Sequence, residues 1–156
     1  ASVTKNPGCV SVVLVADCLP ILFADRTGSV VAAAHAGWRG LAAGIIENTV
    51  LALETPPQNV LAYLGPAIGP SAFEVGSEVR DAFVAIDQAA GYAFQAHKPG
   101  KWRADLFVLA RQRLAKTGLL NVYGGGQCTY SDPARFFSHR RDKVSGRMAA
   151  LIWIED

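Results

Sequence analysis

Cysteine is scarce and poorly spaced for a scaffold: Cys9, Cys18 and Cys128 make an odd count with no C-x-x-C pair. That argues against a disulfide framework and for a reducing compartment, with the cytoplasm as the default. No apolar run nears the ~20 residues a membrane helix needs, and Ala1 to Gly8 lacks a charged-then-apolar leader pattern, so no membrane or targeting role is expected. Charge is thin as well. Only 18% of residues are charged, the net charge is +2, and the basic residues are scattered except at Arg140 and Arg141. With no basic track for a phosphate backbone, nucleic acid is not an expected partner. Also absent are G-x-x-x-x-G-K-[ST], a strand-linked G-x-G-x-x-G, H-E-x-x-H and G-x-S-x-G, so the common nucleotide and hydrolase classes are not indicated.

What is present reads as one domain over residues 1–156. Half of the residues are hydrophobic, and a chain of this length buries roughly 70% of its unfolded surface, enough for a real core. Val10 to Val15 and Ile21 to Ala24 read as buried strands, and Val30 to Ala34 as a third that closes a hairpin through the turn Asp25-Arg26-Thr27-Gly28. From Leu41 the period changes to helical through Ile45, Ile46, Val50 and Leu53, until Pro56 and Pro57 stop it. Asn59 to Leu64 predicts a strand that runs into the glycine- and proline-rich loop 65–70. Helical period returns at Val75, Val79, Phe83 and Ile86, and at Leu106, Leu109, Ala110 and Leu114, with 91–103 read as irregular. Leu119 to Tyr123 and Met148 to Ile154 complete the expected strands.

Chemistry concentrates in Ala16 to Gly44. Cys18 and His35 stand seventeen positions apart, each at the end of an apolar run and each before a turn or helix signal. Such a pair at one rim suits a nucleophile with its base, or half a metal site. Pro20 holds Leu19 extended, placing Cys18 at a strand end or bulge. His35 precedes Gly37-Trp38-Arg39-Gly40, a strand-to-helix turn where backbone N–H groups and Arg39 can approach an anion. Asp17 is a candidate acid or base, or a partner for backbone groups at the bulge. Arg140 and Arg141, after Phe136 and Phe137, are either a solvated pair or a planar anion site. Bland readings stand beside these: free cysteine is among the most buried residue types, and His35 can be a core histidine bonded to a carbonyl. Cys9 and Cys128 are read as structural, and His97 and His139 as surface or supporting residues.

Taken together, A-D-C-L-P-I-L at 16–22, H-A-G-W-R-G at 35–40, G-P-A-I-G-P-S-A-F-E-V-G at 65–76, and R-F-F-S-H-R-R-D followed by G-R-M-A-A-L-I-W closely resemble the YfiH-like family over nearly the whole chain. The resemblance implies an α+β fold with mixed sheets packed between helices, similar to the catalytic domain of a cysteine-dependent deamidating toxin. It implies zinc-dependent purine nucleoside phosphorolysis of adenosine, inosine and methylthioadenosine, with adenosine deamination. The family's older label, copper polyphenol oxidase or laccase-domain, is less suited, since three histidines are too few for several coppers. A Cys–His hydrolase or deamidase is the other alternative. Carried over, Cys18 and His35 are zinc ligands, while the family's third, a His in a Q-V-H-G-like motif, lies upstream of the matched region. An N-terminally incomplete domain, short of one ligand, is therefore expected. His139, where relatives often have Tyr, is a further nitrogen to locate. Asp17 would serve as acid or base, and Arg39, Arg140 and Arg141 would bind phosphate or nucleoside; the oligomeric state is left open.

Overall fold

The computed structural model describes residues 1–155. Its elements run β1 (Ser2–Thr4), β2 (Ser11–Val15), β3 (Leu19–Asp25), β4 (Val31–Ala36), α1 (Trp38–Ala42), α2 (Ile45–Ala52), β5 (Val60–Leu64), β6 (Glu74–Gly76), α3 (Ser77–Val84), β7 (Phe94–Lys98), β8 (Lys101–Ala104), α4 (Leu106–Lys116), β9 (Val122–Gly124), α5 (His139–Asp142) and β10 (Met148–Ile152). A five-stranded sheet has the order β1-β4-β3-β5-β9, antiparallel except at the parallel β5–β9 edge. A β2–β10 ribbon and a three-stranded sheet β6-β8-β7 complete the strands. The chain is α+β, with mixed sheets and flanking helices.

Alternation along β3 decides what each face of the main sheet does. Leu19, Ile21 and Phe23 are fully buried and join Ala32, Ala34, Ala62 and Leu64 in one core with Leu41, Ile46, Leu106, Leu109 and Leu114 from the helices. Val15, Val31 and Ala33 are buried outside that core, where β2 packs on β4 and β10 on β3 and β4. β4 is therefore covered on both sides, and its run of alanines lets the two layers come close. The ribbon is a third layer over the sheet.

The expected β3–β4 hairpin forms, and one carboxylate organises its turn. Asp25 accepts hydrogen bonds from the Ser29 N–H (2.6 Å), the Ser29 hydroxyl (2.8 Å), the Val30 N–H (3.1 Å) and the Thr27 hydroxyl. Burial alone would push its pKa up, but these donors to the ionised form outweigh it and bring it from 3.8 down to about 2. The lowered value contributes about 2 kcal/mol of stability above pH ~4, lost as pH falls through about 2. Asp25→Ala should lower the unfolding free energy by about 2 kcal/mol at pH 7, with the deficit narrowing toward pH 2 in denaturant melts.

Other expectations are corrected. The single helix expected from Leu41 is two, broken at Gly44, whose φ of 85° no helix interior accommodates. Segment 91–103 is not irregular: it holds the β7–β8 hairpin, turned at Pro99 and Gly100 (φ 69°). Its alternation escapes notice because only Phe94 of β7 is buried. Val75 lies in β6, two residues before α3 begins, and Leu119 is buried but outside β9.

Candidate functional site

The turn between β2 and β3 delivers the thiol. Asp17 takes a left-handed conformation (φ 85°) there, Cys18 follows, and Leu19 enters β3. Pro20 lies directly opposite His35 in the β3–β4 register, and opposed residues share a face, so Cys18 and His35 reach the same rim. Gly37 is the space between them. A Cβ there would stand 2.9 Å from Cys18 Sγ and 3.8 Å from His35 Cδ2. Cys18, His35, Gly37, Trp38, Arg39 and Gly40 line one cleft of about 260 Å³. His35 and Arg39 are exposed in it, and the Arg39 guanidinium stacks over the Trp38 ring at 4.3 Å. A larger groove of about 520 Å³, along α2 between Glu47 and Pro57, has carboxylates on an apolar wall but neither thiol nor imidazole.

The remaining expected residues are differently occupied. Asp17 is buried, and both its oxygens are engaged: Oδ1 accepts from the Thr129 hydroxyl and Oδ2 from the Arg140 N–H, each at 2.6 Å. Its carbonyl accepts from the Ile68 N–H at 2.9 Å. The Arg140 side chain donates to the Glu74 carbonyl at 2.9 Å and lies over Phe73. Arg141 commits all five of its N–H donors, to the carbonyls of Thr129, Tyr130 and Phe136 and to the Asp142 carboxylate. Of the three arginines, Arg39 is the one that lines the cleft.

Burial raises the Cys18 thiol above its ordinary value and the Asp17 carboxylate raises it further, while the positive charge of Arg147 opposes them. Arg147 is thus a cation near the site that sequence reading passed over, though it stands in the G-R-M-A-A-L-I-W motif. Cys128, read as structural, sits in a different setting. Burial pushes its thiol up, but the Ser131 hydroxyl (3.3 Å) and the N–H groups of Gly69 (3.1 Å), Ser131 and Tyr130 outweigh that and leave it lowered. In chelator-treated protein, iodoacetamide labelling followed by peptide mapping should therefore modify Cys128 at lower pH than Cys18. The reverse order would overturn the two environments.

Thiolate and imidazole fit zinc in kind. In number they are two, and among the described residues no group of three His, Cys, Asp or Glu side chains converges. His139 opens α5 and His97 lies 3.3 Å from Glu74, so neither joins Cys18 and His35 in such a group.

A family model described as multi-copper polyphenol oxidoreductase laccase matches residues 1–155. The Escherichia coli (strain K12) purine nucleoside phosphorylase YfiH is 56% identical over 154 residues, covering 99% of this chain and 63% of its own length. A Pseudomonas aeruginosa purine nucleoside phosphorylase is 55% identical over 157 residues, covering 100% of this chain and 65% of its own. A crystal structure of a Neisseria meningitidis protein superposes with a TM-score of 0.97 at 51% identity, over 99% of this chain and 64% of that one. The structure of YlmD from Geobacillus stearothermophilus gives 0.90 at 33% identity, over 99% and 60%. The chain spans just under two thirds of the length of these relatives.

Proposed function

Because the chain belongs to the multi-copper polyphenol oxidoreductase laccase family, and its relatives bear the name purine nucleoside phosphorylase, we propose that it carries the Cys18–His35 part of a zinc-dependent purine nucleoside phosphorylase. Adenosine, inosine and methylthioadenosine are its proposed substrates, with adenosine deamination as a second activity. The observation that carries the reading is the convergence of thiol and imidazole on Gly37, in a cleft whose exposed guanidinium belongs to Arg39.

Cys18 Sγ and a ring nitrogen of His35 would hold zinc, which when bound acidifies a water or polarises the purine. In phosphorolysis a phosphate oxygen bonds to ribose C1′ as the bond from C1′ to the purine nitrogen breaks, and the electron pair leaves with the base, which takes up a proton. Arg39 faces the cleft and pairs with the phosphate, its plane held by Trp38. Arg147 adds positive charge on the Cys18 side. Arg140 and Arg141 act by fixing the loops around the cleft, since their donors go largely to carbonyls. Asp17, with both oxygens occupied, is a positioning residue for the Cys18 turn before it is an acid or base.

A metal-free Cys–His hydrolase is less well supported, because burial and Asp17 both favour the neutral thiol where a nucleophile needs the thiolate. A multi-copper oxidase needs clustered histidines, and His97 and His139 do not gather with His35 among the described residues. Incubation with adenosine and phosphate, followed by chromatography, should yield adenine and ribose 1-phosphate. Adenine release that ignores phosphate would sink the phosphorylase reading.

A further inference from the structure

Arg135 and Phe136 open the R-F-F-S-H-R-R-D segment, and neither lines the cleft. They line a second space of about 240 Å³, together with Val15, Pro20, Pro66 and Met148. Its walls are apolar, a phenyl ring and two proline rings among them, and Arg135 brings the one polar side chain. The Arg135 guanidinium lies over the Phe136 ring at 5.1 Å, and its Nε donates to Asp132 at 2.5 Å. Among the described residues, Nη1 and Nη2 have no acceptor. Asp132 thus fixes the guanidinium plane and offsets its charge, leaving two side-by-side donors with little net charge. Such a slot fits the neutral acceptor edge of a flat heterocycle better than a carboxylate, which pairs best with an uncompensated cation.

Position indicates which heterocycle. Pro20, in the wall of the slot, lies directly opposite His35 in the β3–β4 register, and opposed side chains stand ~5 Å apart on one face. His35 lines the cleft of about 260 Å³. The two spaces therefore meet at the Pro20–His35 pair, and each is smaller than the ~300 Å³ at which whole-ligand sites begin. One molecule in two parts fills both. On the phosphorylase reading, on which this inference rests, phosphate and ribose occupy the cleft, so the base falls on the slot side. We propose that the slot is the purine site, with Phe136 stacking on the base and Nη1 and Nη2 of Arg135 donating to N7 and O6, which makes a 6-oxopurine nucleoside such as inosine the preferred substrate. A guanidinium paired with O6 and N7 is the geometry by which arginine reads guanine. Adenine offers N7 but turns an amino group toward the second nitrogen, so one hydrogen bond is replaced by two opposed donors. Donation to N7 also stabilises the electron pair that leaves with the base.

Calorimetry on the 156-residue chain reads the slot without turnover. Hypoxanthine should bind ~10-fold or more tightly than adenine. Arg135→Met keeps the stem and removes the donors at an exposed position, and it should bring that ratio close to one. Phe136→Leu keeps an apolar side chain without the ring and should weaken both bases ~10-fold, with circular dichroism unchanged. Should Phe136→Leu unfold, Arg135→Met still decides. Equal binding of the two bases by the parent chain, binding of neither, tighter binding of benzoate, or a ratio that Arg135→Met leaves in place would each overturn the proposal. Selective base binding by a chain that phosphorolyses no nucleoside would uphold the slot and sink the phosphorylase reading. Phosphorolysis whose inosine-to-adenosine ratio of kcat/KM is unmoved by Arg135→Met would uphold that reading and sink the slot.

Discussion

His35→Ala should lower phosphate-dependent adenine release by ~100-fold or more, and Cys18→Ala should do the same, the scale on which a positioned acid–base or electrostatic group is lost. The two side chains flank one glycine and line one cleft, so they should act as a unit. The double variant is then expected to fall little below either single one, as happens when residues share a single task. Gly37→Ala separates placement from chemistry. Its Cβ would arrive 2.9 Å from Cys18 Sγ, inside any normal contact distance, so the thiol must move while both donors remain. A displacement of this kind is expected to reduce kcat by ~10-fold or more, with thermal melts confirming that the fold survives. Cys18 is half-buried at the start of a core strand, and its bland reading is that of a small hydrophobe. If that were its whole role, Cys18→Ala would leave turnover intact and only stability would change.

Local pattern carried much of the architecture. The β3–β4 hairpin was legible because strand period, turn residues and a second strand follow within eighteen positions, and α4 because Leu106, Leu109, Ala110 and Leu114 repeat on one face above the Asp105 cap. Where period was short or masked, reading failed for physical reasons. β1 and β6 are three residues long, α5 is four, and β7 exposes all but one side chain, so no alternation of hydrophobicity marks it. Gly44 was the one visible sign that the long helical pattern would break, since a left-handed glycine ends one helix and begins the next. The cleft was legible in its two chemical residues and opaque in its supports. Asp17 meets Thr129 and Arg140 across 112 and 123 positions, a relation no local pattern encodes. The charge of Arg147 near Cys18 is invisible for the same reason.

Loss of the Asp17 carboxylate should be among the most damaging single changes to the fold. Thr129 is fully buried, and its hydroxyl has Asp17 Oδ1 at 2.6 Å; the Arg140 N–H, at the first turn of α5, has Oδ2 at the same distance. Asp17→Ala strands both donors and also puts a non-glycine residue without a side-chain acceptor at φ 85°. Each unsatisfied buried group costs about 1–3 kcal/mol and the backbone about 1 more, so a loss of about 3–7 kcal/mol is expected in urea melts. Two further variants divide that sum. Asp17→Gly relieves the backbone but leaves both donors unpaired, and should recover only about 1 kcal/mol of the loss. Asp17→Asn tolerates the left-handed backbone and keeps one acceptor, but turns an amide N–H₂ toward the other donor, so its loss should be smaller than that of Asp17→Ala without vanishing. The consequence for chemistry follows from position. Asp17 precedes Cys18 and ties the β2–β3 turn to residues 129 and 140, so Asp17→Asn should reduce kcat while leaving KM for phosphate nearly unchanged if it orients the thiol. A matching rise in KM for phosphate would instead place its effect on the anion site, and an unchanged kcat would remove Asp17 from the positioning role.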